Sequence, residues 1–274
     1  MGDTEQFAIV QLDARDAAGA LLLSTEAHWN QNEADWRFFL TKGAVFGMRD
    51  QKNTLVATAA LMPYGEHDAW ISMVLVTESW RRRGLATRLV DACLGKAKKL
   101  GITTWLDATP AGATVYGPLG FTPTIELRRL RLANASGAKR ATPSAGKLDA
   151  FIAADIGTIG FDRSGFLQEL SGRANSKLVS SGRAMALVRD GRTARHIGPL
   201  FADGAAHALE MVHDIAASET GPVLIDAVAA QAEFLDGLTA SGWSIERPFQ
   251  RMRFGRATAQ AGKLPFAVAG PEFG

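Results

Sequence analysis

The apolar positions of the chain form two series of elements, separated by a stretch without apolar rhythm. Leu21, Leu22 and Leu23 in an Ala-rich segment predict a first helix. Asn32 to Asp35 has the spacing of a capping box with a shorter acid at its last position. Trp36, Phe39 and Leu40 follow at helical intervals, so a second helix is predicted there. Ala44–Met48, Leu55–Met62 and Trp70–Val76 are runs of strand formers divided by the polar turns Asp50–Asn53 and Gly65–Asp68, a meander of three strands. The period then lengthens. Leu85, Leu89, Cys93, Ala97 and Leu100 recur every three or four residues and Gly101 stands at the stop position, which predicts a long amphipathic helix. Ile102–Leu106 reads as a short buried strand. Thr109-Pro110 reads as the cap and first-turn proline of a short helix reaching Tyr116, and Phe121–Leu132 as a last strand.

Ala133–Lys147 breaks this pattern with Ala, Ser, Gly, Thr, Pro and basic residues, and reads as a linker. A second series comes after it: strands at Ala184–Val188 and His196–Phe201, a helix over Ala205–Ala216, a strand at Pro222–Asp226, a helix at Gln231–Leu238 and a strand at Pro248–Phe254. Two landmarks align between the series. Leu106-Asp107-Ala108 matches Ile225-Asp226-Ala227, and Leu119-Gly120-Phe121 matches Ser241-Gly242-Trp243. Each pair brackets a short helix that follows a longer one, which implies an internal duplication. The expected organisation is a first domain at 1–134, a linker at 135–147, a second domain at 148–258 and a tail at 259–274 with little pattern.

Composition narrows the class. The chain has 274 residues, 47% hydrophobic and 21% charged, a globular mixture large enough for two average domains. A net charge of +2 gives no global field that would recruit nucleic acid. One cysteine, Cys93, excludes an internal disulfide framework and a cysteine-rich zinc site, and no metal is expected. No apolar run is long enough to span a bilayer, and the first residues lack a secretory pattern. The expectation is a soluble cytoplasmic protein with neither a nucleic-acid nor a membrane partner.

Chemistry concentrates where the third strand of the meander meets the long helix, at Met73-Val74-Leu75-Val76-Thr77-Glu78-Ser79-Trp80-Arg81-Arg82-Arg83-Gly84-Leu85-Ala86. The spacing Arg-x-x-Gly-x-Ala opens the helix. Backbone N–H groups at a helix start have no intrahelical partner, and the helix dipole adds positive potential. Small residues at Gly84 and Ala86 admit a phosphate to the backbone, and arginines add charge-assisted contacts, so the segment suits a pyrophosphate. Alone, the same residues fit a solvated turn equally well. A nucleic-acid patch is a weaker reading, because aromatic interleaving is missing.

In context, the order strand, Arg-x-x-Gly-x-Ala, long helix, short strand and a helix ending in Tyr116-Gly117-Pro118-Leu119-Gly120-Phe121 resembles the GNAT family of acetyl-coenzyme A dependent N-acetyltransferases. Glu78 stands where proline is common and Ala86 where glycine is commoner. The resemblance covers roughly Phe7 to Leu132. The second half resembles a degenerate GNAT repeat of the YitH/HolE type. The implied fold is α+β: two tandem GNAT-like folds, each a mixed, mostly antiparallel sheet flanked by helices.

The resemblance implies that the pantetheine arm of acetyl-CoA runs beside Val74, Leu75 and Val76. It places the pyrophosphate on the amides from Arg82 to Thr87, with Arg81, Arg82, Arg83, Gly84, Leu85 and Ala86 forming the loop and helix start. It implies Tyr116 as the acid that protonates the leaving thiolate; packing against the sulfur is the plainer reading of that residue. Trp29, Asn30 and Gln31 precede the second helix, where such folds shape the acceptor pocket. A helix-connecting loop with a packed Trp explains them equally well. The base is not readable: Glu66, His67 and Asp68 are candidates through a water, and Ser72 is the polar residue of the strand. The second repeat has Gly198-Pro199-Leu200-Phe201-Ala202-Asp203-Gly204 in place of the phosphate motif, which implies that it binds coenzyme A poorly. His196 and Asp226 could line the acceptor pocket but read more readily as structural polar residues, and Arg163 and Arg251 could pair with an acceptor carboxylate but read more readily as surface arginines. The function implied is acetyl transfer to the primary amine of a small molecule by direct attack in a ternary complex. A coenzyme-binding regulatory protein and an acetyltransferase for protein or peptide amines are the alternatives.

Overall fold

The computed structural model describes residues 7–137, 144–256 and 262–274. The first six residues, the middle of the expected linker at 138–143 and the start of the tail at 257–261 lie outside the described residues. The first series of elements comprises β1 (Val10–Gln11), α1 (Ala17–Glu26), α2 (Glu33–Lys42), β2 (Ala44–Arg49), β3 (Leu55–Tyr64), β4 (Asp68–Val76), α3 (Leu85–Leu100), β5 (Thr103–Ala108), α4 (Pro110–Tyr116) and β6 (Thr122–Ser136). The second comprises β7 (Ser144–Ala145), α5 (Leu148–Ile159), α6 (Ser164–Ser171), β8 (Lys177–Ser180), β9 (Ala184–Arg189), β10 (Arg195–Ala202), α7 (Ala205–Ser218), β11 (Thr220–Val228), α8 (Ala232–Ala240) and β12 (Ser244–Phe254). Among the described residues no helix is long and apolar enough to cross a membrane.

Local chemistry explains most boundaries. The Asn32 side chain accepts from the Asp35 N–H, and the Asp35 carboxylate accepts from the Asn32 N–H, the reciprocal box that starts α2. Helix α3 buries Leu85, Leu89, Val90, Cys93 and Ala97 and stops at Gly101, which adopts φ 67° as a left-handed C-cap. Strand β6 continues past Leu132: Ala135 and Ser136 still pair with Gly221 and Thr220 of β11, so the polar composition there marks a half-exposed strand end. Helix α5 escapes the sequence pattern because its apolar residues show no stripe; of twelve residues only Phe151 and Asp155 are buried.

The chain divides into two compact units. One runs to Leu106 and includes Arg253–Gly255; the other comprises Asp107–Met252 and Arg256–Gly274. In the first unit the strand order is β1-β2-β3-β4-β5, antiparallel up to β4, with β5 parallel to β4. Trp36, Phe39, Met48, Leu61, Trp70 and Leu89 form its interior. In the second unit the order is β12-β6-β11-β10-β9-β8-β7. Strand β6, which ends the first repeat, therefore lies between the β11 and β12 strands of the second repeat. The end of β12 belongs to the first unit, with the Arg253 guanidinium 5.7 Å from the Trp105 ring centre.

Two buried ion pairs lock this exchange inside the second unit. Arg251 of β12 grips Asp107 of β5 through Nε and Nη2, both at 2.8 Å. Arg129 of β6 grips Asp226 of β11 at 2.8 and 2.7 Å. The aspartates are the matched positions of the two repeats, and Arg129 follows Phe121 at the interval at which Arg251 follows Trp243. Each repeat thus supplies the arginine for the other's aspartate. Arg251 and Arg163 are not surface arginines, as the sequence suggested. Both are buried, and Arg163 holds Asp155 with two 2.8 Å bonds.

The tail is part of the second core. Phe266, Ala267, Val268, Ala269 and Phe273 are all buried. Glu272 accepts from Arg189 at 2.8 Å, and Arg189 also lies 3.2 Å from His196 Nδ1. His196 Nε2 is 3.2 Å from Asp226. Burial, and secondarily Arg189, depress the His196 pKa below its usual value, so the folded protein holds this ring neutral. A depressed folded-state pKa contributes stability above the unfolded value near 6.5 and loses it as pH falls. Stability in urea should therefore decline below about pH 6.5, by up to about 1.4 kcal/mol per pH unit from this group. In His196→Gln the slope between pH 6.5 and 5 should flatten; an unchanged slope would assign the acid sensitivity elsewhere.

Candidate active site

Strand β4 carries the first irregularity of the site. It pairs with β5 only at Asp68–Trp70 against Thr103–Trp105. Beyond that point, among the described residues, β4 keeps β3 on one side and no paired strand on the other. The register against β3 shifts here: Ala60 faces Ser72 and Thr58 faces Leu75, so Met73 and Val74 together oppose Ala59. This is a β-bulge, which leaves a residue outside the regular ladder and re-aims the strand. Met73 adopts φ 52°, a conformation costly for a non-glycine residue and held only by its surroundings. The holding group is visible: the fully buried Thr58 hydroxyl donates to the Met73 carbonyl at 2.8 Å. Met73, Val74, Leu75 and Val76 all lie in the segment that stands out in the sequence, but the bulge at Met73 and the role of Thr58 do not. The run Met73–Val76 is uniformly apolar, and a bulge leaves no mark on such a run.

The second irregularity comes at once. A single 3-10 turn, Glu78–Trp80, leads into Arg81–Gly84, all exposed. Arg82 at φ 59° and Gly84 at φ 74° are left-handed, and Gly84 is the N-cap of α3. Left-handed residues alternating with extended or helical neighbours turn successive N–H groups toward one concavity, an anion nest at the helix start. A Cβ on Gly84 would meet nothing within 4 Å, so glycine serves the left-handed conformation here rather than bulk avoidance. Neighbouring groups brace the loop. Arg81 Nε donates to the Val76 carbonyl at 3.1 Å, and Arg83 stacks 4.5 Å over Trp80. Glu26, at the end of α1, accepts from Thr77 Oγ1 at 2.7 Å and from the Glu78 N–H at 2.6 Å. Leu85 is buried, so only its backbone can face a ligand, whereas Ala86 and Thr87 are half-buried. A pocket of about 250 Å³ adjoins the loop, lined in part by Leu22, Glu26, Thr77 and Trp80.

The remaining expected residues have distinct environments. Trp29 is half-buried, and its N–H donates to the Ser24 carbonyl at 2.9 Å; Asn30 and Gln31 are buried. Gln31 Oε1 and Ser72 Oγ are buried without a hydrogen-bond partner among the described residues. Glu66 and His67 are exposed at a turn. Asp68 is buried, accepts from Trp105 Nε1 at 2.7 Å, and has its pKa raised by burial. Tyr116 ends α4 in the second unit. It is buried, with its ring 5.9 Å from Phe121 and its Cε2 3.0 Å from where a Cβ on Gly112 would stand. Among the described residues no group of three or more His, Cys, Asp or Glu is arranged to hold a metal ion.

Comparison with known proteins agrees with the two-repeat fold. Residues 11–121 match the acetyltransferase (GNAT) family model, and residues 152–265 match a second acetyltransferase (GNAT) domain model. The chain is 24% identical over 253 residues to the uncharacterized N-acetyltransferase YitH of Bacillus subtilis, covering 86% of this chain and 87% of that protein. A crystal structure from Pyrococcus horikoshii is similar with a TM-score of 0.82 at 18% identity, covering 100% of this chain and 98% of the other. A tandem GNAT protein from the clavulanic acid biosynthesis pathway is similar with a TM-score of 0.62 at 15% identity, covering 94% and 99%.

Proposed function

The chain belongs to the GNAT acetyltransferase family, with two of its domains in tandem, and is an acyltransferase; from that premise we propose that its first domain transfers the acetyl group of acetyl-CoA to the primary amine of a small molecule, by direct attack in a ternary complex. One observation carries the reading. Within the first unit, a bulged strand with one unpaired side runs directly into a left-handed anion nest at a helix start. The first feature suits an extended arm that needs backbone partners, and the second suits a pyrophosphate. The residues present therefore fit the coenzyme.

Acetyl-CoA, when bound, supplies the thioester carbonyl and the thiolate leaving group. The backbone groups of the run Val74, Leu75 and Val76 that face away from β3 are the candidates to hold the arm and to stabilise charge on the carbonyl oxygen. One such donor is worth about 10²–10³ in rate. The amides from Arg82 to Thr87 hold the pyrophosphate, with Arg81, Arg82 and Arg83 adding charge and Gly84, Leu85 and Ala86 providing the close backbone. Trp29, Asn30 and Gln31 bound the acceptor side. The orphaned Gln31 Oε1 and Ser72 Oγ are groups that a polar acceptor would satisfy. Tyr116 is the acid for the departing sulfur.

Purified protein should release coenzyme A thiol when given acetyl-CoA and the correct member of a broad amine panel. Coenzyme binding without acceptor-dependent thiol release would favour a regulatory binder, and release only with peptide amines would favour a peptide acetyltransferase. Tyr116→Phe should lower kcat at least about tenfold while the coenzyme Kd stays within twofold. Equal turnover across the pH range would remove the acid role. Thr58→Val keeps the side-chain shape but deletes the bond that holds Met73. Its loss, near 1 kcal/mol, should lower kcat about fivefold with the coenzyme KM little changed. Thr58→Ser should restore the rate, and a Val variant with wild-type kcat would sever the bulge from catalysis.

A further inference from the structure

The two repeats split their sheets at the same place and treat the split differently. Strand β4 leaves β5 after three paired residues, at Trp70. Strand β10 likewise leaves β11 after three, Arg195, His196 and Ile197. In the second repeat the opening is filled by the chain's own tail. Leu200 of β10 and Ala227 of β11 both bridge antiparallel to Ala267. The Leu200 N–H donates to the Ala267 carbonyl at 3.0 Å, and the Leu200 carbonyl accepts from the Phe266 N–H at 2.9 Å. On the other side the Val268 N–H donates to the Asp226 carbonyl at 3.0 Å and the Val228 N–H to the Phe266 carbonyl at 3.1 Å. The tail thus acts as a short strand bonded to both lips of the split.

The fit is close. Gly198, the first residue of β10 beyond the paired region, has φ 150°, and a Cβ there would stand 2.0 Å from the Val268 carbonyl oxygen. Only glycine admits the tail at that point. Phe266 packs edge-on to Phe234 with ring centres 5.3 Å apart. Two buried arginines fasten the rest of the tail: Arg189 donates to the Ala269 carbonyl at 3.0 Å and to Glu272, and Arg163 donates to the Phe273 carbonyl at 2.8 Å. The start of the next helix also differs from that of α3. Gly204, the N-cap of α7, is extended rather than left-handed, and the exposed Asp203 precedes it where an anion would have to come.

We propose that the split sheet of the second domain is a strand-binding groove whose permanent occupant is the chain's own segment Pro265–Ala269, taking the place of a coenzyme arm, so that the protein carries one coenzyme site. An arm that needs the backbone of β10 finds the Leu200 N–H and carbonyl already bonded. Displacing the tail would expose Phe266 and strip Arg189 and Glu272 of each other.

Hydrogen exchange and titration on the full chain test this together. The amides of Phe266 and Val268 should exchange at least about 10³-fold more slowly than in an unstructured peptide. Saturating acetyl-CoA should leave that protection unchanged, and titration should give one coenzyme per chain. Two coenzymes per chain, or tail exchange that speeds up on adding coenzyme, would overturn the proposal. Unprotected tail amides in the wild-type protein would overturn it too. Gly198→Ala should release the tail, raising its exchange at least about 100-fold; retained protection in that variant would show that the groove does not depend on this close approach. A chain that binds no coenzyme but keeps a protected tail would refute the proposed activity and leave the occupied groove standing.

Discussion

Gly84→Asp should abolish the thermal stabilisation of the protein by acetyl-CoA, with affinity falling at least about 1,000-fold, or roughly 4 kcal/mol. The size reflects placing a carboxylate where a pyrophosphate is expected. Two like charges about 4 Å apart at an effective dielectric constant near 20 repel by about 4 kcal/mol. The backbone requirement can be separated from the charge. Gly84 is left-handed at φ 74°, and Asp and Asn are the side-chain-bearing residues that tolerate this best. A Cβ at that position meets nothing within 4 Å, so neither replacement clashes. Gly84→Asn should therefore retain most of the binding while Gly84→Asp loses it. With coenzyme at about 100 times its Kd, the wild-type protein should gain about 2.7 kcal/mol, a rise of about 5–10 °C in melting temperature. An Asp variant with the wild-type rise would remove the anion nest from the coenzyme site.

Arg129→Met should destabilise the protein by about 3–5 kcal/mol, because it removes both guanidinium bonds to the buried Asp226 carboxylate and leaves the neutral His196 ring beside it. Although burial disfavours its charge, Arg129 and His196 hold the Asp226 pKa well below the ordinary carboxylate range. Folding with that charge intact depends on the guanidinium. Arg129→Met combined with Asp226→Leu should recover most of the loss, since an apolar pair replaces a buried ion pair at little net cost. The exposed pair Arg37–Glu33 on α2 is the contrast: solvent screens it, and breaking it should cost only about 0.3–0.5 kcal/mol. Equal effects at the two sites, measured by urea denaturation, would mean that the strand exchange is not held by its buried arginines.

The sequence by itself determined the elements whose chemistry is local. The capping box at Asn32 and Asp35, the apolar stripe of α3 with its stop at Gly101 and the proline start of α4 each depend on residues within one or two turns. The spacing Arg-x-x-Gly-x-Ala is of the same kind, which is why Arg81–Thr87 stands out before any fold is known. Tertiary structure decided what depends on residues far apart in the chain. The bulge at Met73 exists because Thr58, on another strand, holds its carbonyl, and neither residue is unusual in its own neighbourhood. Strand β6 finds its partner β11 across a long interval, and the arginines of each repeat pair with the aspartates of the other. Arg163 and Arg251 look like surface groups in sequence and His196 and Asp226 like structural polar residues, and the partners that each finds in the fold make burial possible. The tail is the sharpest case. Its run Pro265–Ala269 is too short to announce a strand, and its place was set by an opening between β10 and β11 that only the folded sheet provides.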